Sequence, residues 1–369
     1  MNVLVSGRFA GVPHQGGSTW ALLQYVLGLR RLGHDVLVVE PLTNAPDASV
    51  AGCFRRVVDE FSLEGRAALL VDGDEQGLGA SHDEVVAFAR GADLLINASG
   101  ALNDERILAA IPTRLYLDLD PAFTQMWQAF DGVDMGMDGH THFATVGLGI
   151  GHESTVPTCE RQWITMLPPV VLDHWPFAGR VTHDAFTTVA NWRGYGSIHH
   201  DGVVYGQKAH SLRALIDLPE RTDETLLLAL DIHPDETADV EALASHRWWR
   251  TDPRAVAGTP DCYRSFVRGS KAEIGIAKSG YVEARCAWFS DRSACYLASG
   301  RPVVAQDTGF SGHLPTGRGL FAFDDVDGAV TAIDAINDDY EANRRAARSI
   351  AEEHLDSDRV LTTLVDALS

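Results

Sequence analysis

Two runs of alternating strand and helix patterns, separated by a proline-bounded segment, constrain the fold of this chain more than any other feature. The first run begins at Asn2–Ser6 (NVLVS), a short apolar strand. It passes through the loop Gly7–Gly17 into a helix over about residues 18–32, with Leu22, Leu23, Val26, Leu27 and Leu29 as its apolar positions. Gly33 ends that helix, and Asp35–Glu40 (DVLVVE) reads as a second buried strand. Strand, glycine-bearing loop, helix and strand in this order open a parallel, Rossmann-like sheet. The dinucleotide fingerprint G-x-G-x-x-G is absent, and Gly16-Gly17 supplies only a weaker form of the close-approach loop.

The alternation continues along the chain. Ala68–Val71, Asp93–Ala98 and Thr113–Asp118 read as strands, and His82–Arg90 and Asp104–Ala110 as helices. Phe143–Leu148 and Trp163–Leu167 read as further strands. Pro168–Pro176 (PPVVLDHWP) then places prolines on both sides of a short apolar run, the composition of a semi-rigid linker. After it the pattern restarts, with strands at Phe186–Asn191, Thr225–Leu230, Glu273–Ala277, Val303–Ala305 and Leu320–Phe323. A polar loop is expected from Asn191 to Gly206 and a helix over Gln207–Ile216. The tail from Val326 to Ser369 reads as two or three helices. The expected organisation is an α/β chain of two Rossmann-like parallel-sheet domains, over residues 1–170 and 177–345, with C-terminal helices over residues 346–369 packing back on the first domain.

Composition narrows the function. A formal net charge of −21 argues against nucleic acid as a partner, which needs a basic face, and against docking on anionic lipid. No apolar run reaches transmembrane length, and Met1–Ser6 enters a strand at once, so neither membrane insertion nor a signal peptide is expected. Five scattered cysteines (Cys53, Cys159, Cys262, Cys286 and Cys295), without C-x-x-C spacing, read as reduced thiols of a cytoplasmic protein. Lysine is confined to Lys208, Lys271 and Lys278, all in the second half near the expected ligand loops.

The segment Phe289–Phe310 (FSDRSACYLASGRPVVAQDTGF) carries the most specific functional signal. Ser290 or Asp291 can cap a helix whose positive end faces outward, and Arg292 sits in a first turn that otherwise prefers acids, a reason to expect a bound anion. This helix–turn–strand unit resembles the donor-binding region of GT-B glycosyltransferases, in which a helix N-terminus holds the diphosphate of a sugar nucleotide. Together with Asp138–Gly151 (DGHTHFATVGLGIG) and PPVVLDHWP, it is also similar to a group of bacterial glycosyltransferase-like proteins, from which no substrate carries over. The resemblance covers the whole chain as architecture and is specific as motif over about residues 263–310. It implies a nucleotide-diphosphate sugar donor (UDP-, dTDP- or GDP-linked), a small-molecule or glycan acceptor, an interdomain active site, and no cofactor or metal. One departure matters. Where retaining members carry a glutamate five residues before the glycine of the Gly-x-Pro turn, this chain has Cys295, so the stereochemical outcome stays open.

Parallel sheets bind ligands at the carboxyl ends of their strands. On the expected donor side this brings together the loop after Asn191, the segment before Arg292 and the turn after Ala305. The resemblance assigns Arg193 or Lys208, with Arg292 and the Ser293 backbone near Asp291, to the diphosphate, and Gln306 and Asp307 to donor-sugar hydroxyls. On the acceptor side His14, ahead of Gly16 and Gly17, is the candidate general base, as an imidazole titrating near neutrality can deprotonate a hydroxyl. Asp118 and Asp120 close a strand from which a carboxylate can orient that base or cap the helix after Pro121. His140 and His142, in the run DGHTH, would share one face of a strand and line an acceptor wall; a metal site there lacks an assignable third or fourth ligand. Two other readings stay open: a sugar-nucleotide epimerase on the same fold, and a non-catalytic relative that binds a nucleotide or a protein partner.

Overall fold

The computed structural model describes residues 1–71 and 74–368. The first half builds one sheet, in the spatial order Asp74–Gly79, Ala67–Val71, Asp35–Leu42, Asn2–Ser6, Leu94–Ala98, Thr113–Asp118, His142–Thr145 and Trp163–Thr165. Only the edge strand Asp74–Gly79 runs antiparallel. The central strands are apolar on both faces because helices cover both: Val3, Leu4 and Val5 are all fully buried.

The second sheet runs Trp249–Thr251, Leu226–Asp231, His183–Asn191, Ser270–Gly275, Val303–Gln306 and Leu320–Phe323, with every pairing parallel. The first strand of this half lies third in the sheet, so the chain reverses its winding direction between His183–Asn191 and Ser270–Gly275. That makes a crevice at the carboxyl ends of those two strands, the place where such sheets take ligands.

The proline-bounded segment and the tail are tied together. Val170 N–H donates to Leu355 O at 2.7 Å and Ser357 N–H donates to Val170 O at 3.0 Å. The final helix, Ser357–Asp366, packs on the first-half helix Gly16–Arg31, where a side chain at Gly28 would meet Leu361 at 2.5 Å. The chain therefore returns to the first sheet after completing the second, and the two-sheet α/β architecture with a helical tail is the one expected from the sequence.

The structure departs from expectation in several elements. A helix over Ala48–Phe61 follows the second strand, burying Phe54, Val57 and Phe61 at helical spacing. The expected polar loop between Asn191 and Gly206 contains a hairpin, Ile198–His200 paired with Val203–Tyr205. Its turn is Asp201-Gly202, with φ of +48° and +78°, the left-handed pair that a two-residue hairpin needs. His140 precedes the strand His142–Thr145 rather than lying on it, after Gly139 turns the chain with φ +81°. The two imidazoles therefore do not share a strand face.

Candidate active site

The helix Asp291–Ala298 starts at the carboxyl end of the second sheet. Ser290 caps it, its Oγ accepting from Arg292 N–H at 3.2 Å. A narrow recess in front of the first turn is lined by Gly275, Ala277, Ser290, Ser293 and Gln306 among others. Gln306 closes its floor, its Oε1 accepting from Ala277 N–H at 3.3 Å. Arg292 also lines this recess, but its guanidinium is engaged by protein groups. Its Nε donates to Glu273 at 2.5 Å and its Nη1 to Val189 O at 3.0 Å. Glu273 is fully buried on the strand Ser270–Gly275, and an unpaired carboxylate there would be prohibitively costly, so it draws the guanidinium inward.

Lys208 lies across the same crevice, its ammonium donating to Ile276 O. Burial holds its pKa well below the ordinary lysine value, and the nearby charges of Arg292 and Lys278 lower it further. Three basic side chains, Lys208, Lys278 and the Glu273-paired Arg292, thus lie near one another where the second sheet reverses direction. Asp291, whose carboxyl burial pushes up, lies among them. Arg193 faces elsewhere, pairing with Glu236 at 2.6 Å. Asp307 closes its own turn, accepting from Gly309 N–H at 2.9 Å and Ser311 Oγ at 2.6 Å, so its carboxylate shapes the loop.

On the first sheet, the loop after Asn2–Ser6 is already occupied by an internal anion. Glu40 Oε2 accepts from the N–H groups of Phe9, Ala10 and Gly11, each at 2.8 Å, and is itself buried. Glu40 thus satisfies three backbone donors of this loop that could otherwise take a phosphate. Gly16 and Gly17 act in packing between the halves: a side chain at Gly16 would meet Thr259 O at 2.2 Å, and one at Gly17 would meet Tyr263 at 2.9 Å. His14 is exposed, with φ +67°, on the approach to these glycines.

The two candidate aspartates have opposite fates. Asp118 is fully buried and accepts from Thr124 Oγ1, Gln125 Nε2 and Thr145 Oγ1 at 2.7, 2.8 and 2.7 Å, besides Asp120 N–H at 3.0 Å. It ties three elements of the first half together and has no lone pair left for a substrate or for His14. Its burial pushes its pKa up despite those donors. Asp120, two residues on, reaches out of the sheet and meets the second half. Lys278 Nζ donates to its two oxygens at 2.9 and 3.0 Å, and the Tyr195 and Tyr281 hydroxyls donate to it as well. Lys278 is also walled by aromatic rings, with centroids at 4.3 Å for Tyr195 and 5.0 Å for both Phe123 and Tyr281.

His140 and His142 stay apart from this cluster. His140 lies 3.0 Å from Asn97 Nδ2 and packs edge-on against Tyr116, and burial lowers its pKa. His142 lies against Thr141 Oγ1 at 2.9 Å. His140 is thus part of the packing around Tyr116, while His142 lies beside Thr141 at the start of its strand.

Sequence reasoning missed Tyr195 and Tyr281, which meet Asp120 at the seam, and the buried carboxylates Glu273 and Glu40, and it marked Lys278 only through the scarcity of lysine. The scarcity of lysine was the one available signal, as Lys208 and Lys278 both lie at the crevice.

No family model matches the chain, and no curated protein matches it in sequence. Solved structures do match over its full length. An alpha-glucosyltransferase in complex with UDP and a mismatched DNA superposes with a TM-score of 0.64 at 12% identity, covering 99% of this chain and 98% of its own. HepE of Anabaena, in complex with UDP and glucose, gives 0.58 at 12% identity, covering 100% and 99%. Sucrose-phosphate synthase from Thermosynechococcus elongatus gives 0.55 at 11% identity, covering 99% and 98%. At such identities the likeness is one of fold, and the fold is that of the GT-B glycosyltransferases.

Proposed function

We propose that the protein is a glycosyltransferase that moves a sugar from a nucleotide-diphosphate sugar to a small-molecule or glycan acceptor at the seam between its two sheets. The observation that carries this reading is the placement of Lys208 close to Lys278 at the crevice of the second sheet, with Lys208 also near Asp291 at the start of the helix Asp291–Ala298. A diphosphate is the ligand whose chemistry answers that arrangement: it offers the negative charge that a desolvated ammonium and a helix N-terminus favour. Residues 177–345 form the donor half and residues 1–170 the acceptor half.

In this reading sugar transfer breaks the bond between the anomeric carbon and the diphosphate oxygen and forms one to an acceptor oxygen. Lys208, Lys278 and the helix start stabilise the charge that develops on the leaving diphosphate. Arg292 acts from one layer behind, holding Glu273 neutralised beneath the helix. The acceptor proton passes to His14, exposed on the first half, or to Asp120 once Lys278 has left it. The net charge of −21 favours an acceptor other than nucleic acid.

A thermal-shift screen against UDP, dTDP, GDP and their sugar conjugates tests the proposal. A diphosphate at a hundred times its Kd stabilises by about 2.7 kcal/mol, a shift of several degrees. No shift with any member of the panel would remove the donor assignment.

A further inference from the structure

The contact between Asp120 and Lys278 is unlike the other ion pairs that join distant parts of the chain. It bridges the carboxyl ends of the two sheets, with Asp120 following the strand Thr113–Asp118 and Lys278 following Ser270–Gly275. Tyr195 and Tyr281, both from the second half, add their hydroxyls to the same carboxylate, and Tyr195 also contacts the Lys278 ammonium. Phe123 and Trp127 of the first half pack edge-on against Tyr195, so the polar cluster has an aromatic collar contributed by both halves. Yet the cluster is not sealed: the Lys278 and Asp120 side chains retain 21% and 27% of their exposure.

The charges around Lys278 are unevenly matched. Lys208 feels both Lys278 and Arg292 as like charges, and the Arg292 charge is already committed to Glu273. Asp120 is thus the carboxylate paired with Lys278, and it comes from the opposite half of the molecule. A diphosphate in the crevice carries more charge than one carboxylate and approaches Lys208 and Lys278 together, so it is the stronger partner for Lys278.

We propose that Asp120 is an internal stand-in for the donor: it latches the two halves by holding Lys278, and the arriving diphosphate takes Lys278 and releases Asp120 toward the acceptor. This rests on the donor assignment made above and adds an order to it. The acceptor-side carboxylate becomes free only once a donor is in place, which keeps the site closed to hydroxyl groups, water included, while no donor is bound. The two tyrosine hydroxyls remain as donors to Asp120 and hold it at the seam after Lys278 has left.

Zero-length carbodiimide cross-linking of the full chain reads the latch directly, because it joins an amine and a carboxylate only when they are in contact, forming an amide with loss of one water. With Lys208, Lys271 and Lys278 as the chain's lysines, the products are readily assigned by peptide mass spectrometry. Lys271 with Glu224, paired at 2.6 Å away from the seam, is the internal control. We expect a Lys278–Asp120 cross-link in the free protein. It should be lost at saturating UDP, or whichever diphosphate gives the largest thermal shift, while the Lys271–Glu224 product is unchanged.

Two variants give a second readout: Asp120→Asn should bind UDP about five- to tenfold more tightly, and Lys278→Met about tenfold more weakly. A Lys278–Asp120 cross-link that persists when thermal shift shows the site saturated overturns the latch and leaves the donor reading standing. So does its absence from the free protein. If no diphosphate shifts the melting temperature while the cross-link forms, it is the donor reading that falls, and donor-driven release falls with it.

Discussion

Replacing Arg292 separates two roles for one guanidinium, and the structure fixes the size of the effect. If Arg292 were an open anion-binding residue, its loss would abolish nucleotide binding and leave the fold intact. The geometry instead has it neutralising Glu273, whose side chain is fully buried and whose second oxygen, Oε2, has no hydrogen-bond partner. In an Arg292→Met variant that carboxylate must either stay charged without a counter-ion or take up a proton. Staying charged costs about 3–5 kcal/mol, the usual loss when one partner of a buried pair is removed. Protonation sets a ceiling: lifting a carboxyl from an ordinary pKa of about 4.3 to pH 7 costs about 3.7 kcal/mol, at about 1.4 kcal/mol per unit. The cheaper route governs, so the variant should lose about 3–4 kcal/mol at pH 7. At pH 5 the same protonation costs only about 1 kcal/mol, and the deficit should shrink accordingly. Glu273→Gln in the same chain removes the charge and should restore most of the stability. Urea unfolding at the two pH values, with hydrogen exchange at the strand Ser270–Gly275 to localise the loss, measures all three. A variant that loses less than about 1 kcal/mol at pH 7 but no longer binds UDP would refute this reasoning and return Arg292 to the anion site.

Further outcomes follow from individual contacts. Gly16→Ala should lower the melting temperature by several degrees, through about 1–3 kcal/mol of overpacking against Thr259 O, and calorimetry of the full chain checks it. His140 is held by burial below the ordinary histidine pKa of about 6.5, so the unfolded chain binds its proton first; stability should therefore be complete above that value and fall as pH drops beneath it. His140→Gln should flatten that slope in a series of melts from pH 5 to 8, and an unchanged slope would assign the effect to other groups. His14→Ala should cut UDP-sugar turnover by about two to four orders of magnitude with little change in UDP affinity, since His14 is exposed on the first half. Near-normal turnover in that variant would leave Asp120 as the proton acceptor.

The parts of this molecule that were legible in the sequence are those set by hydrophobic periodicity, and the parts that were not are those set by long-range charge. Thr113–Asp118 and Leu320–Phe323 are strands at the expected limits, because a short apolar run bounded by turn residues has few other uses in a parallel sheet. The Asp-Gly hairpin at residues 201–202 has its turn signal in the sequence, but its strands are only three residues each, too short to show an alternating pattern. Site residues behaved differently, because a charged side chain at a strand end has several partners within reach and sequence does not rank them. Asp118 and Asp120 look alike two positions apart. Asp118 is the last residue of its strand, where Thr124, Gln125 and Thr145 enclose it, and Asp120 lies beyond the strand and reaches Lys278, 158 residues later. Arg292 was read from its place in a helix first turn, a local argument, while its direction is decided by Glu273 on a strand beneath the helix. Glu40 fills the first loop's N–H groups from the end of the neighbouring strand, a contact visible only once Asn2–Ser6 and Asp35–Leu42 are paired in register. The chemistry of this seam is therefore fixed by which buried charge claims which partner. Among the described residues, the latch between Asp120 and Lys278 is the one such pairing that joins the two sheets across the candidate active site and remains partly open to solvent, which is what allows a ligand to contest it.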